Sequence, residues 1–209
     1  MTVSLQPKNP LQRVAKDYPV VIVPGLNNSD SNHWQSLWHQ RLPTSRRVQL
    51  PEWSTPDLAK WKQGIAEALQ GLSQPAVIIA HSFGTLASAS FAAEHPDKIA
   101  ALFLVAPADP DKFGITAHLP QGNLPVPSKI IASSNDPWLN EIKAATWALQ
   151  WGADFLRIRN LGHINSDSQL GIWDQGIEEL HYFLRKVKRQ RAFFILPHLE
   201  PLRYLTAQQ

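Results

Sequence analysis

Five consecutive residues, Ala80-His81-Ser82-Phe83-Gly84, have the types and spacing of a nucleophile elbow. They follow the apolar run Ala76-Val77-Ile78-Ile79 and precede the small-residue stretch Thr85-Leu86-Ala87-Ser88-Ala89-Ser90. This pattern predicts a strand that reverses sharply into a helix, with Ser82 in strained backbone geometry and its Oγ lifted clear of the sheet. Strand and helix crowd together at such a reversal, so small residues are needed two before and two after the serine. Ala80 replaces the usual glycine at the first position, and Gly84 keeps the second. The helix that follows would direct its N-terminal N–H groups at charge developing in acyl transfer. A plain N-cap on a surface helix is the other use of a serine in this setting.

A serine hydroxyl needs a base to take its proton, and the base needs an orienting carboxylate. The segment 127–134 reads as a buried strand running into Asn135-Asp136-Pro137-Trp138, which places Asp136 just past a strand's carboxyl end. Asn-Asp-Pro is also good turn chemistry, and an ordinary turn is the competing role for Asp136. Further on, Asp154-Phe155-Leu156-Arg157-Ile158 alternates like a strand and is followed by Asn160-Leu161-Gly162-His163-Ile164-Asn165. Of the eight histidines, only His163 follows a glycine at a strand-to-helix turn in the required order. His81 should point away from the elbow, His95 and His181 sit at or on helices, and His33 and His39 fall in or near the first helix. The chain order Ser, Asp, His is that of α/β-hydrolases, unlike the orders of the chymotrypsin-like and subtilisin-like proteases.

An oxyanion hole needs two convergent N–H donors. Phe83, the residue after the serine, would supply one. The loop after Val20-Val21-Ile22-Val23-Pro24-Gly25 would supply the other, from Leu26 first or Asn27 next. Gly25 would let the chain pass close to the substrate, although Pro24-Gly25 also serves as a tight turn. Trp34, Trp53 and Trp138 fall in or beside these loops and could line an apolar pocket with Gly25 and Asn27; as large apolar residues they also suit the core or its rim.

The elements that must position these residues alternate in a βαβ rhythm, which predicts an α/β fold: a mostly parallel sheet with helices on both faces. Six strands are expected near 19–24, 46–50, 76–81, 100–105, 129–133 and 154–158. Helices are expected near 31–41, 57–71, 84–94, 139–151 and 169–187. Residues 106–126, rich in Pro, Asp and Gly, should form a loop over the carboxyl ends of the strands. With 209 residues the chain suits one core domain, expected over 18–185 with no lid domain, an N-terminal extension over 1–17 and a tail over 186–209.

The net charge of +3 is a property of the tail. Six Lys/Arg and one Glu lie from Arg185 onward, and residues 1–184 carry 14 Lys/Arg against 16 Asp/Glu. The main domain is thus mildly acidic, which argues against nucleic-acid binding. The basic run Arg185 to Arg191, followed by Ala192-Phe193-Phe194-Ile195-Leu196, could contact an anionic membrane surface or a partner. A solvated helix end, or an apolar segment folded back on its own domain, is the plainer account. No apolar run is long enough for a bilayer and the first residues lack a signal-like apolar centre, so the expected location is cytoplasmic. Zero cysteines remove thiol nucleophiles and thiolate ligands. Neither a metal-binding His face nor a phosphate or dinucleotide loop is visible, so no metal and no cofactor are expected. Oligomeric state is not assigned by any pattern in the chain.

Over residues 18 to 185 the chain resembles the small α/β-hydrolases related to retinoblastoma-binding protein nine and the bacterial YdeN proteins. The resemblance rests on Val21-Ile22-Val23-Pro24-Gly25, Asn32-His33-Trp34, Leu50-Pro51-Glu52-Trp53, His81-Ser82-Phe83-Gly84, Ser134-Asn135-Asp136-Pro137 and Gly162-His163-Ile164-Asn165, which agree in order and spacing. It implies a compact, lidless serine hydrolase with the triad Ser82, Asp136 and His163. The tail after Arg185 has no counterpart in that pattern. Together with the residues themselves it leads to the expectation of a small-molecule ester substrate cleaved through an acyl-enzyme. An amidase, a thioesterase or a non-catalytic scaffold on the same fold are the alternatives.

Overall fold

The structure, a computed structural model, describes residues 10–195. Its centre is one six-stranded sheet built from β1 (Val20–Val23), β2 (Arg46–Arg47), β3 (Ala76–Ser82), β4 (Ile99–Pro107), β5 (Ser128–Ser133) and β6 (Asp154–Ile158), in the order β2-β1-β3-β4-β5-β6. Every neighbouring pair is parallel. Parallel strands covered on both faces read as continuous apolar runs, and β1 (VVIV) and β4 (IAALFLVAP) are buried at every position.

Alternate residues feed two cores. Val21, Val23, Ile78 and Ala80 pack with Trp61, Phe83 and Trp151, which come from α3 (Leu58–Leu69), α4 (Phe83–Glu94) and α5 (Glu141–Trp151). Val20, Ile22, Val77 and Ile79 pack with Leu11, Trp34, Trp38 and Phe183, from α1 (Pro10–Asp17), α2 (Trp34–Arg41) and α6 (Asp174–Ile195). The chain runs outward from β1 to β2 and then returns to place β3 on the other side of β1. The loops after β1 and β3 therefore leave in a crevice at the carboxyl edge of the sheet, the location where open α/β sheets bind ligands.

Four elements differ from the sequence expectation. Strand β2 spans two residues rather than 46–50, because after Val48, whose N–H still reaches Ile22 O at 3.0 Å, the chain turns away before Pro51. Helix α2 begins at Trp34 rather than 31, since Asp30 Oδ1 accepts the Asn32 and His33 N–H groups in a turn and His33 caps the helix. Helix α6 starts at Asp174 rather than 169, after left-handed turns at Gln169, Gly171 and Trp173. Helix α1 falls where an extension over 1–17 was expected. Leu11 and Val14 are buried in the second core, so the packed domain begins before residue 18.

The expected boundary at 185 also falls inside an element, since α6 continues to Ile195. Three of its basic residues hold partners within the domain. Lys186 pairs with Asp154 at 2.7 Å, Lys188 with Asp17 at 3.1 Å, and Arg191 Nη2 donates to Ala100 O at 3.0 Å. The rest of the expected tail, 196–209, lies outside the described residues. No helix among the described residues is long and apolar enough to cross a membrane. The segment between β4 and β5 contains two 3-10 turns, Pro110–Phe113 and Thr116–His118, in place of a crossover helix.

Candidate active site

Ser82 ends β3 and caps α4 with φ 53° and ψ −126°, a conformation that side chains rarely adopt. The crowding inferred from the sequence is visible on both sides of it. A Cβ on Gly84 would lie 2.5 Å from Pro24 O, and one on Gly25 would lie 2.6 Å from Ser82 Cβ and 3.2 Å from its Oγ. Pro24 O is held in place by Trp61 Nε1 at 2.9 Å, and Thr85 Oγ1 donates back to Ser82 O at 2.7 Å. The β1 loop and the elbow thus support each other.

Asp136 and His163, which lie 27 residues apart in the chain, meet beside this serine. His163 Nδ1–H donates to Asp136 Oδ1 and Oδ2 at 3.0 and 2.9 Å, and Ser82 Oγ stands 2.9 Å from His163 Nε2. A carboxylate only accepts, so the imidazole proton sits on Nδ1 and the Nε2 lone pair faces the serine hydroxyl. The His163 and Asp136 side chains are 9% and 3% exposed, which strengthens both hydrogen bonds by excluding water. Asn135 Oδ1 ties the acid and base loops together by accepting from Gly162 N at 2.8 Å and Ser133 Oγ at 2.9 Å.

His81, expected to point away from the site, lies against it. Its Nε2–H donates to His163 O at 2.9 Å, and the two rings are 4.8 Å apart between centroids. Burial, followed by the neighbouring His33 and His163, pushes its pKa well below the ordinary range, so it is a neutral anchor for the histidine loop. Trp34 Nε1 supports the same loop by donating to Ile164 O at 2.8 Å.

Phe83 is the first residue of α4, so its N–H has no acceptor within the helix. The Leu26 N–H has no backbone or side-chain acceptor among the described residues. Asn27, the second choice for that donor, is committed, its N–H being bound to Trp53 O at 2.9 Å. A cavity of about 370 Å³ opens over Ser82 and His163, with Leu26, Asn27, Ala108, Phe113 and Trp138 on its walls. Trp138 is 56% exposed, and the Lys112 Nζ lies over its ring at 5.3 Å.

Three expected pocket residues, Trp34, Trp53 and Gly25, do not line this cavity. Trp34 is buried in the second core between Trp38 and Trp173, and the half-buried Trp53 packs edge-on against Trp61. Both rings are drawn inward because helix packing offers more apolar contact than the crevice. Gly25 touches Ser82 rather than the cavity wall. The cavity also includes His33, Asp30 and Ser166, which were not among the expected site residues. A signal for the first two was present in Asp30-Ser31-Asn32-His33, a turn-and-cap pattern that places an imidazole at the mouth of the β1 crevice.

The serine hydrolase family model matches residues 20–182. Among solved structures, a protein described as a YdeN-like hydrolase from Pectobacterium atrosepticum is 36% identical, covers 85% of this chain and 96% of its own, and superposes with a TM-score of 0.82. The ydeN gene product of Bacillus subtilis is 19% identical over 80% of this chain and 99% of its own, with a TM-score of 0.67. An α/β-hydrolase-like protein of Agrobacterium tumefaciens shares the fold at 13% identity over 88% of this chain and 89% of its own, with a TM-score of 0.60. No curated protein sequence matches the chain.

Proposed function

The chain belongs to the serine hydrolase family, and from that premise we propose that it cleaves small carboxylic esters through an acyl-serine intermediate, with Ser82, His163 and Asp136 as the working triad. The observation that carries this reading is the unbroken hydrogen-bond chain Ser82 Oγ, His163 Nε2, His163 Nδ1 and Asp136. In the first step Ser82 Oγ bonds to the acyl carbon while its proton passes to His163 Nε2. Asp136 stabilises the imidazolium, and the Phe83 and Leu26 N–H groups hold the oxyanion. Collapse breaks the ester C–O bond, and the leaving alkoxide takes the proton from Nε2. Water then attacks the acyl-serine, giving a proton to His163 Nε2 and its oxygen to the acid product, and collapse breaks the acyl–Oγ bond as Ser82 Oγ takes that proton back.

Esters are favoured over amides because an alkoxide leaves with less assistance than an amine. A cavity of about 370 Å³ suits a small molecule rather than a polymer. Labelling with a fluorophosphonate tests the nucleophile: the intact protein should form an adduct that Ser82→Ala abolishes, and a folded but unreactive wild-type protein would overturn the reading. Matched p-nitrophenyl ester, thioester and anilide substrates test the bond cleaved. A higher kcat/KM on the thioester or anilide than on the ester would replace the esterase by a thioesterase or amidase.

A further inference from the structure

The triad leaves one group in the cavity unexplained. His33 is only 3% exposed, its Nδ1 accepts the Gln35 N–H at 3.1 Å, and the lone pair used there requires that the proton sit on Nε2. That buried Nε2–H has no hydrogen-bond partner among the described residues, although His33 lines the same cavity as Ser82 and His163. It is two ring contacts from the base: His33 to His81 is 4.7 Å between centroids, and His81 to His163 is 4.8 Å. Burial lowers the His33 pKa to about 4, so it is a neutral donor at physiological pH.

Acceptors lie in the same cavity. The buried Ser166 Oγ makes no hydrogen bond of good geometry, yet it is close enough to Asp30 to lower that carboxyl's pKa, aided by the Asn32 and His33 N–H groups. We propose that His33, Ser166 and Asp30 form a hydroxyl-recognition subsite, so that the preferred ester carries a free hydroxyl a few bonds from its scissile carbonyl. The inference rests on Ser82 and His163 being the reacting pair.

The donor and acceptor types select the ligand. A hydroxyl accepts from His33 Nε2–H and donates to Ser166 or Asp30 through one oxygen. A ketone or ether oxygen satisfies only the histidine, and an ammonium satisfies only the acids. A carboxylate meets repulsion from Asp30 and Asp167, which both line the cavity. A site built around buried polar groups discriminates strongly against the analogue that leaves them unpaired.

The test compares kcat/KM for p-nitrophenyl butanoate with its 2-hydroxy and 3-hydroxy analogues, which place the hydroxyl on the acyl side. Ethyl and 2-hydroxyethyl butanoate place it on the alcohol side. At least one hydroxylated ester should be preferred by the wild-type enzyme by about tenfold to a hundredfold. His33→Asn keeps a helix cap through Oδ1 but holds its remaining N–H donors at the position of Cδ2, short of where Nε2–H stood, and should bring that preference to within about twofold of unity. Ser166→Ala, which leaves the cap intact, should reduce the same ratio and serves if the histidine variant does not fold. A merely structural role for His33 lowers both rates and leaves their ratio unchanged, which overturns the proposal; so does a wild-type ratio near one for every pair. Fluorophosphonate labelling of Ser82 separates the two readings. An active, labelled enzyme without the preference sinks the subsite alone, and an enzyme neither labelled nor active on any of these esters sinks both.

Discussion

Replacing Ser82 by glycine should make the protein more stable than replacing it by alanine, the reverse of the order at an ordinary helix start. At φ 53° and ψ −126° a residue with a Cβ carries strain of about 1–3 kcal/mol, whereas glycine carries none. Against this, glycine loses about 0.5–1 kcal/mol through the greater freedom of the unfolded chain. The difference favours glycine by about 1 kcal/mol, or some 2–4 °C in Tm for a domain of this size. Alanine is the proper reference because both variants lack the hydroxyl and its bond to His163. Urea unfolding and calorimetry of the two variants measure the gap, with Ala89→Gly inside α4 as a control that should lose about 1–2 kcal/mol through helix propensity and a lost buried methyl. A Ser82→Gly protein less stable than Ser82→Ala by a similar margin would show that the elbow is not strained.

His163→Ala should lower ester turnover by several orders of magnitude with the fold retained, and Asp136→Asn should do so by about 10⁴ through the wrong imidazole tautomer; near-wild-type kcat with circular dichroism unchanged would remove either from the mechanism. Gly25→Ala forces a Cβ to 3.2 Å from Ser82 Oγ and should reduce kcat by about a hundredfold, a change that fluorophosphonate labelling rates would follow. Stability should fall on acidification, because His33 titrates near 4 when folded and near 6.5 when unfolded, so the unfolded chain binds the extra proton between those values. The loss approaches about 3 kcal/mol between pH 7 and pH 4, with His81 acting in the same direction. Urea midpoints across this range should shift less in His33→Asn, and identical slopes in the two proteins would refute the assignment.

The three residues of the proposed triad, which the structure brings into hydrogen-bond contact, were legible because each is announced by its neighbours: small residues around Ser82, a strand before Asp136, a glycine before His163. The six strands were legible in the same alternating rhythm, whereas their order in the sheet was not. What escaped was decided by packing across the chain. Trp34 and Trp53 stand in the right loops, but which way a ring turns depends on Trp38, Trp61 and Trp173, residues of other elements. Helix α1 escaped because PLQRVAKD fully buries just two residues, Leu11 and Val14, in a core completed by α6. Asn27 was excluded as an oxyanion donor only by a bond to Trp53 O, which no local pattern announces. His33 was placed at the first helix, yet its missing partner is a property of the folded cavity.

The bond from His81 Nε2 to His163 O joins the peptide neighbour of Ser82 to the main chain of His163. It closes a short mechanical circuit around Ser82 and His163, so their separation is gauged by a few atoms rather than by the whole sheet. The segment between β4 and β5, which supplies Ala108, Lys112 and Phe113 to the cavity, lies outside that circuit. Insertions and exchanges there can retune substrate preference without detuning the chemistry, which makes this wall the part of the scaffold freest to diversify.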